Sequence, residues 1–399
     1  MVNQNLAPSF IDINTYNYEL PNERIAYEPA NPRDSAKQLI YKQGVITNDV
    51  FSNLATHLTT DMVLVFNDTK TIYARLHFTT DTGAVVEVFV LAPAVPTDMA
   101  TFMQTTHAVT CVALVGNLKK FKIPTLTHTL GNISLSAQLA TVTDAQITVT
   151  LTWNSDLTFA HIIEQFGKVP LPPYIKRSAI ESDKQTYQTI YAQANGSVAT
   201  PTAGLHFTPT VMQALATKKI TCLHTTLHVG AGTFMPVKTD NAAAHHMHGE
   251  EIIITTQLIN QLLTTTKTLI AVGTTSCRLL ESVYWLGVKA TLGQAPTHLA
   301  QWEYTTLTPI STTLALQGLL EYCTTNNLTQ LVAKTEIMIT PGYTFKMVGG
   351  IITNFHQPKS TLLLLISALI GNDWQRVYSH AIANKYRFFS YGDSSLLLP

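Results

Sequence analysis

Charge is scarce in this sequence. Only 13% of its 399 residues are Asp, Glu, Lys or Arg, against ~25% in an average soluble domain. The 25 basic and 25 acidic residues cancel, which excludes a histone-like positive blanket and leaves any nucleic-acid partner to a local basic patch. Cysteine is rare too. The four, at 111, 222, 277 and 323, form no C-x-x-C pair. That argues against a disulfide scaffold and for reduced thiols in a cytoplasmic protein. Long hydrophobic runs are also missing: the greasiest stretch, 362–370, falls well short of the ~20 residues that cross a bilayer. The first five residues, Met1-Val2-Asn3-Gln4-Asn5, supply neither a basic n-region nor an apolar h-region, so no secretory leader is expected. A soluble chain without a membrane partner follows.

Apolar residues are plentiful, at 46%, enough for a large core, and the length suggests two or three domains. Two textures run along the chain. Residues 62–153 read as short strands: 62–66 and 85–91 are β-rich, while 133–139 and 147–153 alternate apolar and polar residues, the mark of half-buried antiparallel strands. From about 158 helices and strands alternate. Thr208 caps a helix with Pro209 at its first position, running to Lys218. Further helices are expected near 256–266, 312–323, 361–370 and 373–384, with strands at 268–272 and 336–340. This pattern predicts an α/β fold: a mostly parallel sheet with helices on both faces, interrupted by an inserted antiparallel β-barrel. The expected boundaries are 1–69 with 159–399 for the α/β domain and 70–158 for the barrel.

In an open α/β sheet, ligands bind beyond the carboxyl ends of the strands. Four segments have that position and a composition suited to it. They are 201–208 (PTAGLHFT), 228–234 (HVGAGTF), 273–278 (GTTSCR) and 353–361 (TNFHQPKST). Glycines let a backbone approach a ligand closely, and helix-start N–H groups beside Arg278 suit a carboxylate or phosphate. Each loop alone has an ordinary explanation as turn or cap; four in one sheet point to a shared site. The cluster His245-His246-Met247-His248-Gly249-Glu250 is not H-E-x-x-H and has no cysteine pair nearby, so no metal site is expected. Lys119-Lys120-Phe121-Lys122 reads equally as a nucleic-acid contact or as a protected strand edge. The stiff segment 169–177 ends in Lys176 and Arg177.

Taken together, these segments resemble the S-adenosylmethionine:tRNA ribosyltransferase-isomerases of queuosine biosynthesis. The matching stretches include 18–21, 65–69, 74–76, 170–175, 187–189, 201–208, 227–234, 272–281, 353–362 and 386–393, together with His245, Met247, His248 and Glu250. The resemblance implies a transfer of the ribosyl part of S-adenosylmethionine onto 7-aminomethyl-7-deazaguanine at a tRNA wobble position. Isomerisation yields epoxyqueuosine, while adenine and methionine leave. S-adenosylmethionine is then a consumed substrate, and no cofactor is needed. The alternatives are a non-catalytic tRNA- or nucleoside-binding paralogue and a metal-dependent hydrolase using His245, His248 and Glu250.

A sulfonium acidifies its neighbouring 5′-methylene, so a base is required, and His206, His228 and His356 are the candidates. Asp393 or a histidine would assist adenine departure. Glu250 and Asp393 would face the sulfonium, with Tyr391 offering a cation–π surface. Thr274, Thr275 and Arg278 would hold the methionine carboxylate. Gly204, Gly230, Gly232, Thr233, His248, Asn354 and Ser360 complete the expected substrate contacts. Arg75, Lys176, Arg177, Lys359 and Arg387 are the expected tRNA cations, and a monomer is expected. The chain departs from the family pattern at Ala36-Lys37, where Ser-Arg is expected, at Thr200 in place of alanine, and at Gly349 in place of aspartate.

Overall fold

The computed structural model describes residues 8, 10–121, 124–143, 146–230, 237 and 239–399. Its larger sheet has ten strands. At the centre lie four mutually parallel strands, in the order Thr221–His228, Met62–Asn67, Thr268–Val272 and Val348–Asn354. Beyond Val348–Asn354 come Ser394–Leu398, Lys37–Lys42 and Val45–Val50; beyond Thr221–His228 come Glu250–Thr255, Gln330–Thr335 and His298–Leu299. The flanks mix parallel and antiparallel pairs.

The central strands read as continuous apolar runs because both faces are covered. Successive side chains of 62–67 show this directly. Val63 and Val65 enter one core with Ala271, Ile351 and Leu397. Leu64 and Phe66 enter the other with Ile270, Ile352 and Leu396. The first core packs the helices Gly273–Thr291, Thr312–Thr325 and Thr361–Ile370; the second packs Pro209–Thr217 through Val211 and Leu215. Gly287 lets two of these helices nearly touch, since a Cβ there would lie 2.2 Å from the Ala315 carbonyl oxygen.

The second sheet has seven antiparallel strands, and includes Gly167–Lys168 paired with Arg75–Thr79. It curls into a half-barrel: Arg75–Thr79 and Leu126–Leu130 come into contact, but no ladder joins them among the described residues. Phe102, Phe159, Ile162 and Phe166, from the helices Met99–Gln104 and Phe159–Phe166, fill its apolar face.

The expected helices form at Pro209–Thr217, Thr256–Thr264, Thr312–Thr325, Thr361–Ile370 and Asp373–Ala383. The strand expected at 336–340 does not. Pairing with Glu250–Thr255 ends at Thr335, and the next residues bond instead to Leu299 and Gln301 through the Glu336 and Met338 amides. Their burial, at 3% or less for Ile337, Met338 and Ile339, comes from packing outside a ladder.

Candidate functional site

All four singled-out loops reach one cleft: Val229, 273–275 and 353–357 lie at the carboxyl ends of central strands, and 201–203 follows the short strand Ala194–Ser197 outside that sheet. A cleft of about 80 Å³ is lined by 199–203, Val229, 273–275, 353–357, Leu362, Phe389, Ser390 and Tyr174. Gly273 has φ +89°, which lets the strand Thr268–Val272 turn at once into a 19-residue helix. That turn places Thr274 and Thr275 in the helix's first turn, where unpaired N–H groups favour negative charge. Aromatic rings form one wall: Tyr174 and Phe389 lie 4.8 Å apart, and the Tyr174 hydroxyl accepts a hydrogen bond from the Ser390 amide at 2.8 Å.

Two polar atoms at the cleft are buried without a partner among the described residues, Thr275 Oγ1 and Asn354 Oδ1. The orientation of the Asn354 amide is fixed, because its Nδ2 donates to the carbonyls of Phe389 at 2.9 Å and Ser390 at 3.3 Å. Leaving a buried polar atom unmatched costs about 1–3 kcal/mol, so both are apt ligand contacts.

Of the three candidate histidines, His356 lines the cleft. Its Nε2 lies 3.1 Å from Thr353 Oγ1, and its backbone is anchored by the Tyr18 and Tyr378 hydroxyls. Enclosure lowers its pKa to about 4, so it is neutral near pH 7. His206 sits behind the cleft wall with its ring 5.0 Å from that of Phe51 and its Nε2 unpartnered among the described residues. Burial lowers its pKa to about 4 as well. His228 lies one residue before cleft-lining Val229; its Nδ1 meets Thr69 Oγ1 at 2.8 Å and its Nε2 faces Glu251 at 3.9 Å.

Other expected site residues have structural partners. Arg278 and Glu250 form a buried ion pair, and Arg278 Nε also donates to the Ile337 carbonyl at 3.2 Å. Asp393 accepts from the Arg387 amide at 2.7 Å and the Lys37 amide at 3.1 Å, and pairs with the Arg387 guanidinium at 3.3 Å. The Tyr391 hydroxyl reaches Thr186 and Asp183, each at 3.4 Å. Ser360 caps the helix Thr361–Ile370 through the Leu363 amide. Gly204 serves close packing, since a Cβ would lie 2.0 Å from the Tyr191 hydroxyl oxygen. The Gly230 amide donates to Glu250 at 3.1 Å. His248 is exposed beside this strand. Lys359 Nζ donates to Asn14 at 2.7 Å. Gly232, Thr233 and Lys122 lie outside the described residues; Lys119 and Lys120 are exposed in a short turn.

The departures sit in structural roles. Thr200 Oγ1 donates to the Tyr187 carbonyl at 2.8 Å and meets Thr71 Oγ1 at 2.7 Å. Lys37 Nζ donates to the carbonyl of Asn384 at 2.8 Å, just past a helix end. Gly349 is the second residue of the strand whose far end, Asn354, reaches the cleft, which puts it ~16 Å away along the strand. Tyr174 and Phe389 were not singled out as cleft walls from sequence, although both fall in resembling stretches.

A cleft walled by aromatics, with few fixed polar groups, at the carboxyl edge of the central parallel strands is where α/β enzymes bind small ligands. Residues 13–397 match the family model of the queuosine biosynthesis protein, and the chain belongs to that family. An S-adenosylmethionine:tRNA ribosyltransferase-isomerase from Novosphingobium aromaticivorans is 38% identical over 97% of this chain and 99% of its own. One from Ruegeria pomeroyi is 36% identical over the same shares. A solved S-adenosylmethionine tRNA ribosyltransferase from Thermotoga maritima covers 96% of this chain and 99% of its own, with 24% identity and a TM-score of 0.47.

Proposed function

We propose that this enzyme, an S-adenosylmethionine:tRNA ribosyltransferase-isomerase of queuosine biosynthesis, binds S-adenosylmethionine in the cleft between Thr275 and Phe389. The acceptor is 7-aminomethyl-7-deazaguanine at a tRNA wobble position, the product is epoxyqueuosine-tRNA, and adenine and methionine are released. The observation that carries the placement is that Thr275 and Asn354, each with a buried side-chain oxygen unpartnered among the described residues, line the same cleft as Tyr174, Phe355 and Phe389. An adenine ring fits against Tyr174, Phe355 and Phe389, with its exocyclic amine donating to Asn354 Oδ1. The first turn of the helix Gly273–Thr291 receives the methionine carboxylate.

His356 is then the base. In its neutral form it takes a proton from the 5′-methylene, and the electron pair stays on the carbon that the adjacent sulfonium stabilises. Arg278 and Glu250 brace the cleft from behind in this scheme and leave the carboxylate to Thr274, Thr275 and the helix terminus. The four free cysteines, three of them buried, fit a reducing cytoplasm.

Changing Phe389→Ala or Thr275→Val should raise the KM for S-adenosylmethionine about ten-fold, the effect of ~1.4 kcal/mol of lost contact. The KM for tRNA should stay near its original value. An unchanged KM for S-adenosylmethionine in both variants would place its site elsewhere.

A further inference from the structure

A second groove, of about 300 Å³, lies against the other side of the segment that carries Tyr174. It is lined by Arg75, His77, Glu87 and Lys168 on the half-barrel and by Pro172, Pro173, Ile175, Lys176 and Arg177 on the proline segment. The register explains why the cations converge. Lys168 pairs directly opposite Arg75, and His77 is two residues further along the same strand, so all three side chains share one face.

The charges do not cancel. Glu87 answers both Arg75, at 2.7 Å, and His77, at 3.2 Å; those contacts, His77's first, hold its pKa below the ordinary carboxylate range. Arg75 is further fixed over the Phe89 ring, 4.5 Å from its centroid. Arg177 is clamped by both oxygens of buried Asp183, at 2.6 and 2.9 Å. Lys168 and Lys176 remain. Both are exposed, and neither has an acidic or hydrogen-bonding partner among the described residues. Two unopposed ammonium groups on facing walls make a site for a bridging anion.

The wall between groove and cleft is a single strand of chain. Tyr174 lines the cleft, while its neighbours Pro173 and Ile175 line the groove. Val169, Leu171 and Ile175 are buried in a small core with Tyr187 and Leu205, which fixes the segment in place. A nucleotide with its base in the cleft would carry its backbone around this wall.

We infer that Lys168 and Lys176 bind a backbone phosphodiester of the tRNA whose target base enters the adjoining cleft. This rests on the tRNA-modifying reading above and adds Lys168 to the binding surface. It also reassigns Arg177 to positioning, because its clamp on Asp183 holds the turn that presents Lys176.

The test is tRNA binding by the full-length enzyme across a salt series, using substrate tRNA and the double variant Lys168→Ala/Lys176→Ala. Neither ammonium group makes a hydrogen bond or ion pair among the described residues, so the variant is expected to fold, which its thermal midpoint verifies. Loss of two phosphate contacts should weaken binding about ten-fold and flatten the log–log salt slope by about 1.4–1.8. Lys168→Arg/Lys176→Arg should restore the slope, while the KM for S-adenosylmethionine stays unmoved in both. If the unaltered enzyme modifies tRNA but the alanine pair binds with the same affinity and slope, the groove is not the phosphate site. If the unaltered enzyme neither binds nor modifies this tRNA, the functional reading itself falls.

Discussion

Arg278 and Glu250 are buried against each other, at 6% and 4% exposure, the guanidinium Nη1 donating to Glu250 Oε2. The pair ties the helix Gly273–Thr291 to the strand Glu250–Thr255 directly behind Thr274 and Thr275. Two charges out of water survive only because each neutralises the other. Arg278→Met alone should destabilise the protein by about 3–5 kcal/mol in urea unfolding, and Arg278→Met/Glu250→Met by much less. A single variant of unchanged stability whose KM for S-adenosylmethionine rises steeply would return Arg278 to the substrate carboxylate.

Three enclosed histidines, His206 and His228 buried and His356 half-buried in the cleft wall, give a pH signature. His206, His228 and His356 each have a pKa lowered to about 4 by burial, from an ordinary 6.5. Between those values the unfolded chain binds protons that the folded one does not. Stability should therefore be full above about pH 6.5 and fall as pH drops toward 4, with a slope approaching three protons. A flat profile through that window would contradict their enclosure.

Activity should follow His356 specifically. His356→Gln should cost about 10²–10⁴ in kcat. Because the imidazole is already neutral at pH 5, kcat/KM should show its acid limb near 4 rather than 6.5. His206→Gln, one layer behind the cleft wall, should cost stability more than rate. A larger loss of kcat at His206 than at His356 would exchange their roles.

Chelators should leave the rate unchanged. Glu250, the acidic member of the candidate metal cluster, is paired with Arg278 and so is not free to join His245 and His248. Inhibition by a chelator that added zinc reverses would revive metal chemistry at that cluster.

Much of this was legible in the chain. Thr208 and Pro209 announce their helix through local capping, and Thr208 Oγ1 indeed accepts from the Val211 amide. The run 268–272 announces a central strand because both faces need apolar residues; 62–66 reads as a strand, but its place at the centre of the larger sheet emerges only in the fold. The strand expected at 336–340 failed because apolar burial does not distinguish a ladder from packing under a neighbour. The four loops grouped from sequence do reach one cleft, through 201–203, Val229, 273–275 and 353–357. Which of their side chains turn into it was not legible, since that depends on partners far along the chain. Asp393 is claimed by Arg387 and Lys37, and Arg278 by Glu250. Tyr174 and Phe389 meet across 215 residues of sequence and form a wall only when folded.

The most direct test is product analysis after incubating the enzyme with S-adenosylmethionine and tRNA bearing 7-aminomethyl-7-deazaguanine. Adenine and methionine should appear in equal amounts, one of each per epoxyqueuosine formed, with no methylated nucleoside. S-adenosylhomocysteine as the main product, with a methylated tRNA, would contradict the account.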